Sequence, residues 1–170
     1  IRGKGVFRKA RKNASGRADV LILHTITPLN ESHIEPFAEE MVEWNVGGLY
    51  FSFATPLKGK REGYWPTLEE RDAAVERLIG LKRRYPGFIV NPLPSIELMF
   101  STTAREVVKD CDIVKRCISL EHDLTRRYCC FGNDADCELC GTTTVFVKHA
   151  YRKGLTAVDD SGLASERLGA

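Results

Sequence analysis

The chain has 170 residues, of which 43% are hydrophobic and 28% are charged. This composition is typical of one globular domain with a buried core. The formal net charge of +2 is too small to indicate a nucleic-acid partner, and no apolar run approaches the roughly 20 residues of a transmembrane helix. Because the start shows no signal peptide, we expect a cytoplasmic protein. The first residue is Ile1 rather than Met, so we also expect a processed chain or a piece of a longer protein.

The N-terminal region is basic. Residues 5–13 predict a short helix that ends at Ser15-Gly16, and seven basic residues precede the first acid, Asp19. A nucleic-acid-binding arm is one interpretation. A solvated helix face is favoured, because no aromatic ladder accompanies the charges.

The next segments alternate between strand and helix patterns. Residues 20–26 are a nearly continuous run of apolar β-formers, which is typical of a strand buried on both faces in a parallel sheet. Ser32-x-x-Glu35 predicts a capping box that begins the following helix. That helix is expected to end near Gly47-Gly48, where a second strand follows.

The alternation continues through the middle of the chain. Thr67-x-x-Glu70 predicts a second capping box at the start of a third helix, and residues 88–91 predict a short third strand. Crossovers of this length allow parallel pairing. The order therefore predicts an α/β fold, either half of a barrel or an open sheet, with one sheet edge left bare.

All six cysteines lie in the thirty residues from Cys111 to Cys140. Two short helices are expected before them, then a hairpin that turns at residues 121–123, and a polar tail after Ala150. The pair Cys137-x2-Cys140 is followed by Gly141, which would permit a tight curl that lets two thiolates converge on one ion.

The other two thiolates of a tetrahedral site must come from elsewhere in this region. The expected hairpin places Cys117 opposite Cys129 or Cys130, and spacing alone leaves that choice open. An all-sulfur site suits zinc or an iron–sulfur cluster. The alternatives are disulfides and unrelated buried thiols. Disulfides are disfavoured by the crowding of three thiols into the eleven residues 130–140.

Two stretches carry a resemblance to a known family. One is Leu21-Ile-Leu-His-Thr-Ile-Thr-Pro-Leu-Asn30-Glu-Ser-His-Ile34, and the other is Cys117…Cys130-Phe-Gly-Asn-Asp-Ala-Asp-Cys137-Glu-Leu-Cys140-Gly141. They resemble the fourth barrel strand and the auxiliary cluster motif of radical S-adenosylmethionine enzymes with a SPASM- or twitch-like region. The C-x3-C-x2-C loop that defines the family is absent from the chain.

The resemblance implies a fold and a division of the chain. Residues 1–104 would be the C-terminal half of a partial TIM-like (β/α)6 barrel, residues 105–148 a small cysteine-rich hairpin and helix region that holds the auxiliary cluster, and residues 149–170 a tail. The chain would be inactive alone and would belong to an enzyme that uses the 5′-deoxyadenosyl radical.

The resemblance also implies cofactors, ligands and partners. An auxiliary 4Fe-4S cluster would be held by Cys117, Cys130, Cys137 and Cys140, with Cys129 competing for the place of Cys130 and Cys111 as a buried thiol or spare ligand. A catalytic 4Fe-4S cluster would lie in the missing N-terminal half. An electron donor such as flavodoxin or ferredoxin is expected, and the substrate is unknown.

Three polar residues are expected at the carboxyl ends of the strands, where parallel barrels place their sites. Thr27, Asn30 and Ser52 would contact S-adenosylmethionine through hydroxyl and amide groups. The alternative for each of them is a purely structural role in a loop or helix cap, and Asn30 in particular suits a helix start. For the chain as a whole, the alternative to the radical enzyme is a zinc-knuckle module that binds or stabilises without catalysis.

Overall fold

The computed structural model describes residues 4–59, 63, 65–158 and 164–166. These residues form a mixed α/β structure of helices and small sheets. The helices are α1 (Val6–Ala14), α2 (Ile34–Glu43), α3 (Leu68–Arg84), α4 (Leu93–Glu97), α5 (Ser101–Lys109), α6 (Ile113–Arg116) and α7 (Thr143–Arg152). The strands are β1 (Leu21–Ile26), β2 (Gly48–Phe53), β3 (Ser119–Leu120), β4 (Arg126–Arg127), β5 (Thr156–Val158) and β6 (Ala164–Glu166). Short 3-10 turns cover Glu31–His33 and Cys137–Leu139.

The expected parallel pairing is present between the first two strands. β1 and β2 run parallel, with Leu21 opposite Gly48 and Ile26 opposite Phe53. The expected third strand at residues 88–91 is reduced to one parallel bridge between Leu49 and Ile89. No closed barrel is formed by the described residues.

An asparagine side chain explains why the third strand stops so early. The backbone N–H of Phe51 donates to Oδ1 of Asn91 over 2.8 Å, and Nδ2 of Asn91 donates to the carbonyl of Phe51 over 2.9 Å. Asn91 is fully buried, and it is followed by Pro92, which has no N–H to continue a ladder. The side chain thus takes the place of a paired backbone.

The prediction that the first strand is buried on both faces is wrong. Burial along β1 alternates: Leu21 and Leu23 are exposed by 48% and 62%, whereas Ile26 is fully buried. The buried face packs in the core with the aromatic side chains of β2. Among the described residues, β1 is paired only along the edge that faces β2, and the expected bare edge is therefore observed in this part of the chain.

The two predicted capping boxes have different outcomes. At the start of α3, Thr67 accepts from the N–H of Glu70, and Glu70 in turn accepts from the N–H of Thr67, so that box is confirmed. The box at Ser32 is wrong, because Ser32 contacts His33 instead and α2 begins from a 3-10 turn with no side-chain cap.

The C-terminal third contains the predicted hairpin and one unpredicted helical continuation. β3 and β4 pair antiparallel, with Ser119 opposite Arg127, which confirms the hairpin. α7 runs through the expected boundary at residues 148–149, and β5 then pairs with β6. No helix in the described ranges is long and apolar enough to span a membrane.

Candidate functional site

The cysteine-rich segment is attached to the carboxyl end of β2. Beyond that strand, the chain runs antiparallel to residues 134–136: Leu57 forms a bridge with Ala135, and the N–H of Asp136 donates to the carbonyl of Pro56 over 2.8 Å. These backbone bonds bring the Cys137–Leu139 turn to the edge of the sheet where parallel α/β folds place their sites.

Gly141 makes the closest approach between this segment and the sheet. Its carbonyl accepts a 2.9 Å hydrogen bond from the N–H of Phe53. A Cβ on Gly141 would lie 2.3 Å from Cβ of Phe53 and 3.0 Å from the Phe53 backbone carbonyl. The expected reason for this glycine, a tight curl, is wrong, because its backbone is outside the left-handed region. The glycine is required for close contact with β2.

Four cysteines line a single cavity of about 30 Å³. They come from three parts of the chain: Cys111 follows α5, Cys129 follows the hairpin, and Cys137 and Cys140 flank the 3-10 turn. The remaining wall is largely apolar and is formed by Thr55, Val108, Ile113, Phe131, Ala135, Thr142 and Val145. Cys140 is buried, whereas Cys111 and Cys137 are exposed.

The structure divides the predicted ligand set. Cys137 and Cys140 line the cavity, but Cys117 and Cys130 do not. Extending the hairpin register by two residues sets Cys117 opposite Cys129, and it is Cys129 that faces the cavity. All six cysteines are free thiols in this structure. The prediction of four metal ligands stays a prediction. The four thiols that line the cavity are those of Cys111, Cys129, Cys137 and Cys140, which differ from the predicted ligands in two positions.

The four thiols that line the cavity do not form a set of metal ligands in this structure. Among the described residues, no group of three or more His, Cys, Asp or Glu side chains lies close enough to hold one ion, whereas a zinc–sulfur bond is about 2.3 Å. The two thiols of the C-x2-C turn, Cys137 and Cys140, each contact a nearby polar atom instead. Sγ of Cys137 donates to the carbonyl of Ala135 over 3.8 Å, and Sγ of Cys140 lies 3.6 Å from Oγ1 of Thr55.

The surroundings of the thiols favour their protonated form. Burial raises the pKa of Cys140 and of Cys137, and the neighbouring Cys129 raises both further, while the hydrogen bond from Thr55 acts in the opposite direction on Cys140. Burial and Cys129 also raise the pKa of Cys130. Because metals bind thiolates, binding at this cavity would release protons.

The predicted cofactor contacts have structural partners. Oδ1 of Asn30 accepts from the N–H of Thr27 over 2.9 Å, and Nδ2 of Asn30 donates to the carbonyl of Thr25 over 2.9 Å, so Asn30 shapes the loop after β1. Ser52 is buried; its hydroxyl donates to the carbonyl of Gly141 over 3.3 Å and accepts from the N–H of Thr143 over 3.3 Å. Thr27 and Asn30 therefore share a loop, and Ser52 lies under the cysteine-rich segment.

Sequence reasoning missed Arg71, which is 1% exposed in the first turn of α3. Burial lowers its pKa to about 10, and the nearby Cys140 and Asp72 raise it in part. A signal was available: Arg71 stands at helical spacing from the buried Ala74, Val75 and Leu78, and this places it on the apolar face of the helix.

The chemistry of the cavity is that of soft sulfur ligands in a largely apolar wall. Four thiolates suit zinc or an iron–sulfur cluster better than they suit magnesium or calcium. No family model, no curated protein and no solved structure matches this chain.

Proposed function

We propose that this chain is the C-terminal part of a radical S-adenosylmethionine enzyme and that its cysteine cavity holds an auxiliary 4Fe-4S cluster. The proposed ligands are Cys111, Cys129, Cys137 and Cys140. The observation that carries the proposal is the convergence of four thiols, from three separate segments, on one cavity at the carboxyl end of a parallel strand.

The exposed face of β1 supports the barrel part of the proposal. Ile26 on one face is buried in the core, and Leu21 and Leu23 on the other face are exposed. In an α/β barrel the helices cover the outside of the sheet, and the opposite face is packed inside. An uncovered apolar face beside an unpaired edge among the described residues fits a barrel of which this chain supplies one part.

The chain's own residues would set the environment of the cluster. When bound, the cluster would supply electron transfer or an anchoring position for the substrate. Thr55 is placed to donate a hydrogen bond to the sulfur of Cys140, and such bonds raise the reduction potential of iron–sulfur centres. Val108, Val145 and Phe131 would keep water from one side.

The remaining cofactor and partners belong to the complete enzyme. S-adenosylmethionine and the catalytic cluster would be bound chiefly by residues outside this chain, with Thr27 offering a hydroxyl at the end of β1. Ser52 could reach a ligand only if the Gly141–Thr143 contact opened, because its hydroxyl already bonds to both residues. An electron donor such as flavodoxin or ferredoxin would reduce the clusters.

Zinc is a second candidate because of the size of the cavity. A volume of about 30 Å³ corresponds to roughly two water-sized probes, which is room for a single ion. A 4Fe-4S core would require the thiols to move outward. A four-thiolate zinc centre would make the segment a structural or binding module without catalysis.

Metal analysis separates these proposals. The protein would be purified without oxygen, reconstituted separately with iron and sulfide or with Zn²⁺, and analysed for iron, acid-labile sulfide and zinc per chain. About four irons and four sulfides per chain, with a brown colour, support the cluster. One zinc per chain and no stable iron support the module, and a chain that binds neither iron nor zinc rejects both proposals.

A further inference from the structure

We propose that Arg71 is the counter-ion of the cysteine cavity and that its buried guanidinium compensates the negative charge of the metal–thiolate centre. This inference rests on the proposed function, since it concerns the same cavity. It applies equally to a cluster and to zinc, because four thiolates around either one leave a net charge of about −2.

The guanidinium of Arg71 is enclosed by aromatic rings. Its central carbon lies 5.3 Å from the ring centre of Phe53, 5.4 Å from that of Trp65 and 5.7 Å from that of Phe146. Nε donates to the carbonyl of Met99 over 2.8 Å. Within the described part of the chain, Nη2 is buried and has no hydrogen-bond partner.

Among the described residues, two carboxylates lie near Arg71, and both are engaged elsewhere. Glu138, which lines the same cleft, accepts a hydrogen bond from Arg105 over 3.1 Å. Asp72 accepts from the N–H and the hydroxyl of Ser101, over 2.6 and 2.7 Å, and so fixes the start of α5. A buried charge that lacks a matched carboxylate costs several kcal/mol, about the size of a domain's net stability. A cation in this position therefore needs an anion, and the described residues hold none that is matched to it.

The position of Arg71 identifies the cavity as the place of that anion. Phe53, whose ring the guanidinium covers, hydrogen-bonds to Gly141 beside Cys140. Phe146, on its other side, follows Val145 in the cavity wall. Arg71 and Leu139, from the middle of the C-x2-C turn, line one cleft together. Arg71 thus lies behind the turn that carries two of the four thiols.

The proposal predicts opposite effects in the two states of the protein. Without metal, the buried charge opposes folding, so removing it should leave stability unchanged or increase it. With metal, the same charge stabilises the anionic centre, so removing it should weaken binding. A purely structural arginine would lower the stability of both states equally.

The test compares Arg71→Met with the wild-type chain. Methionine keeps an unbranched stem against the three rings and removes the charge. The probe is Zn²⁺, added to the reduced protein in competition with a chromophoric chelator, and urea unfolding of the metal-free protein is measured in parallel. We expect about a tenfold or greater loss of Zn²⁺ affinity and no loss of stability without metal.

Two further variants keep the result interpretable. Arg84→Met removes an arginine from the same helix that is 61% exposed and paired with Glu39, and it should change neither quantity. Arg71→Lys keeps the positive charge and should retain most of the wild-type Zn²⁺ affinity. This variant can be compared with the wild type even if Arg71→Met folds poorly.

The outcomes distinguish the inference from the proposed function. Wild-type affinity in Arg71→Met, equal affinities in the Lys and Met variants, or equal destabilisation with and without metal would each overturn the inference while the metal site stands. If the wild-type chain binds neither Zn²⁺ nor a cluster, the proposed function is overturned, and the counter-ion role is overturned with it.

Discussion

The substitution Gly141→Ala tests whether the cysteine-rich segment is packed directly on the sheet. The new Cβ would lie 2.3 Å from Cβ of Phe53 and 3.0 Å from its backbone carbonyl, so one of the two segments must move. Phe53 cannot yield easily, because it is part of β2 and almost fully buried. Overpacking of this kind costs about 1–3 kcal/mol, and loss of the Phe53–Gly141 hydrogen bond adds about 1 kcal/mol. We expect the free energy of unfolding to fall by about 2–4 kcal/mol.

The matched control is Gly80→Ala in α3. A Cβ there would have no atom within 4 Å, and alanine is favoured over glycine inside a helix by about 0.5–1 kcal/mol. Urea unfolding followed by circular dichroism would give the midpoint and slope for both variants. Gly80→Ala should be slightly more stable than the wild type. If Gly141→Ala were as stable as Gly80→Ala, the direct packing of the segment on β2 would be refuted.

Two further predictions concern polar groups in the core. The ring centre of His24 lies 4.3 Å from that of Phe37, and burial lowers the pKa of His24 to about 4. Folding therefore favours the neutral imidazole. The resulting stability is present above about pH 6.5 and is lost as the pH falls towards 4. After discounting for its partial exposure, we expect protonation of His24 to lower the free energy of unfolding by about 1–2 kcal/mol. Urea unfolding of His24→Phe should therefore depend less steeply on pH than that of the wild type. Equal pH dependence in the two proteins would contradict the lowered pKa of His24. Asn91→Leu leaves the buried N–H and carbonyl of Phe51 without partners and should lower the free energy of unfolding by about 2–4 kcal/mol, whereas a loss below about 0.5 kcal/mol in urea unfolding would show that the side chain does not replace a strand.

Local signals in the sequence predicted local structure well. The capping box at Thr67 depends on residues three apart, and the hairpin depends on one short turn, so both could be predicted from the chain order. The predicted box at Ser32 failed because Asn30, two residues earlier, organises the loop with its side chain. Two short-range patterns competed there, and the sequence alone did not rank them.

The candidate site depended on contacts that no local pattern records. The identity of the cavity thiols is decided by how α5 and the hairpin pack beside the C-x2-C turn, and this is why Cys111 and Cys129 line the cavity and Cys117 does not. Arg71 was not predicted to be buried because it is charged, although it lies on the apolar face of α3. Long-range packing in both cases determines which residues can act together.

The most direct test of the central claim is the metal content of two double variants. Cys111→Ser/Cys129→Ser removes two cavity thiols, and Cys117→Ser/Cys130→Ser removes the two thiols outside it. Each would be reconstituted without oxygen, and iron, sulfide and zinc would be counted per folded chain. We predict that the first variant retains almost no metal and that the second binds as much as the wild type. Full metal content in the first variant, with loss in the second, would contradict the account.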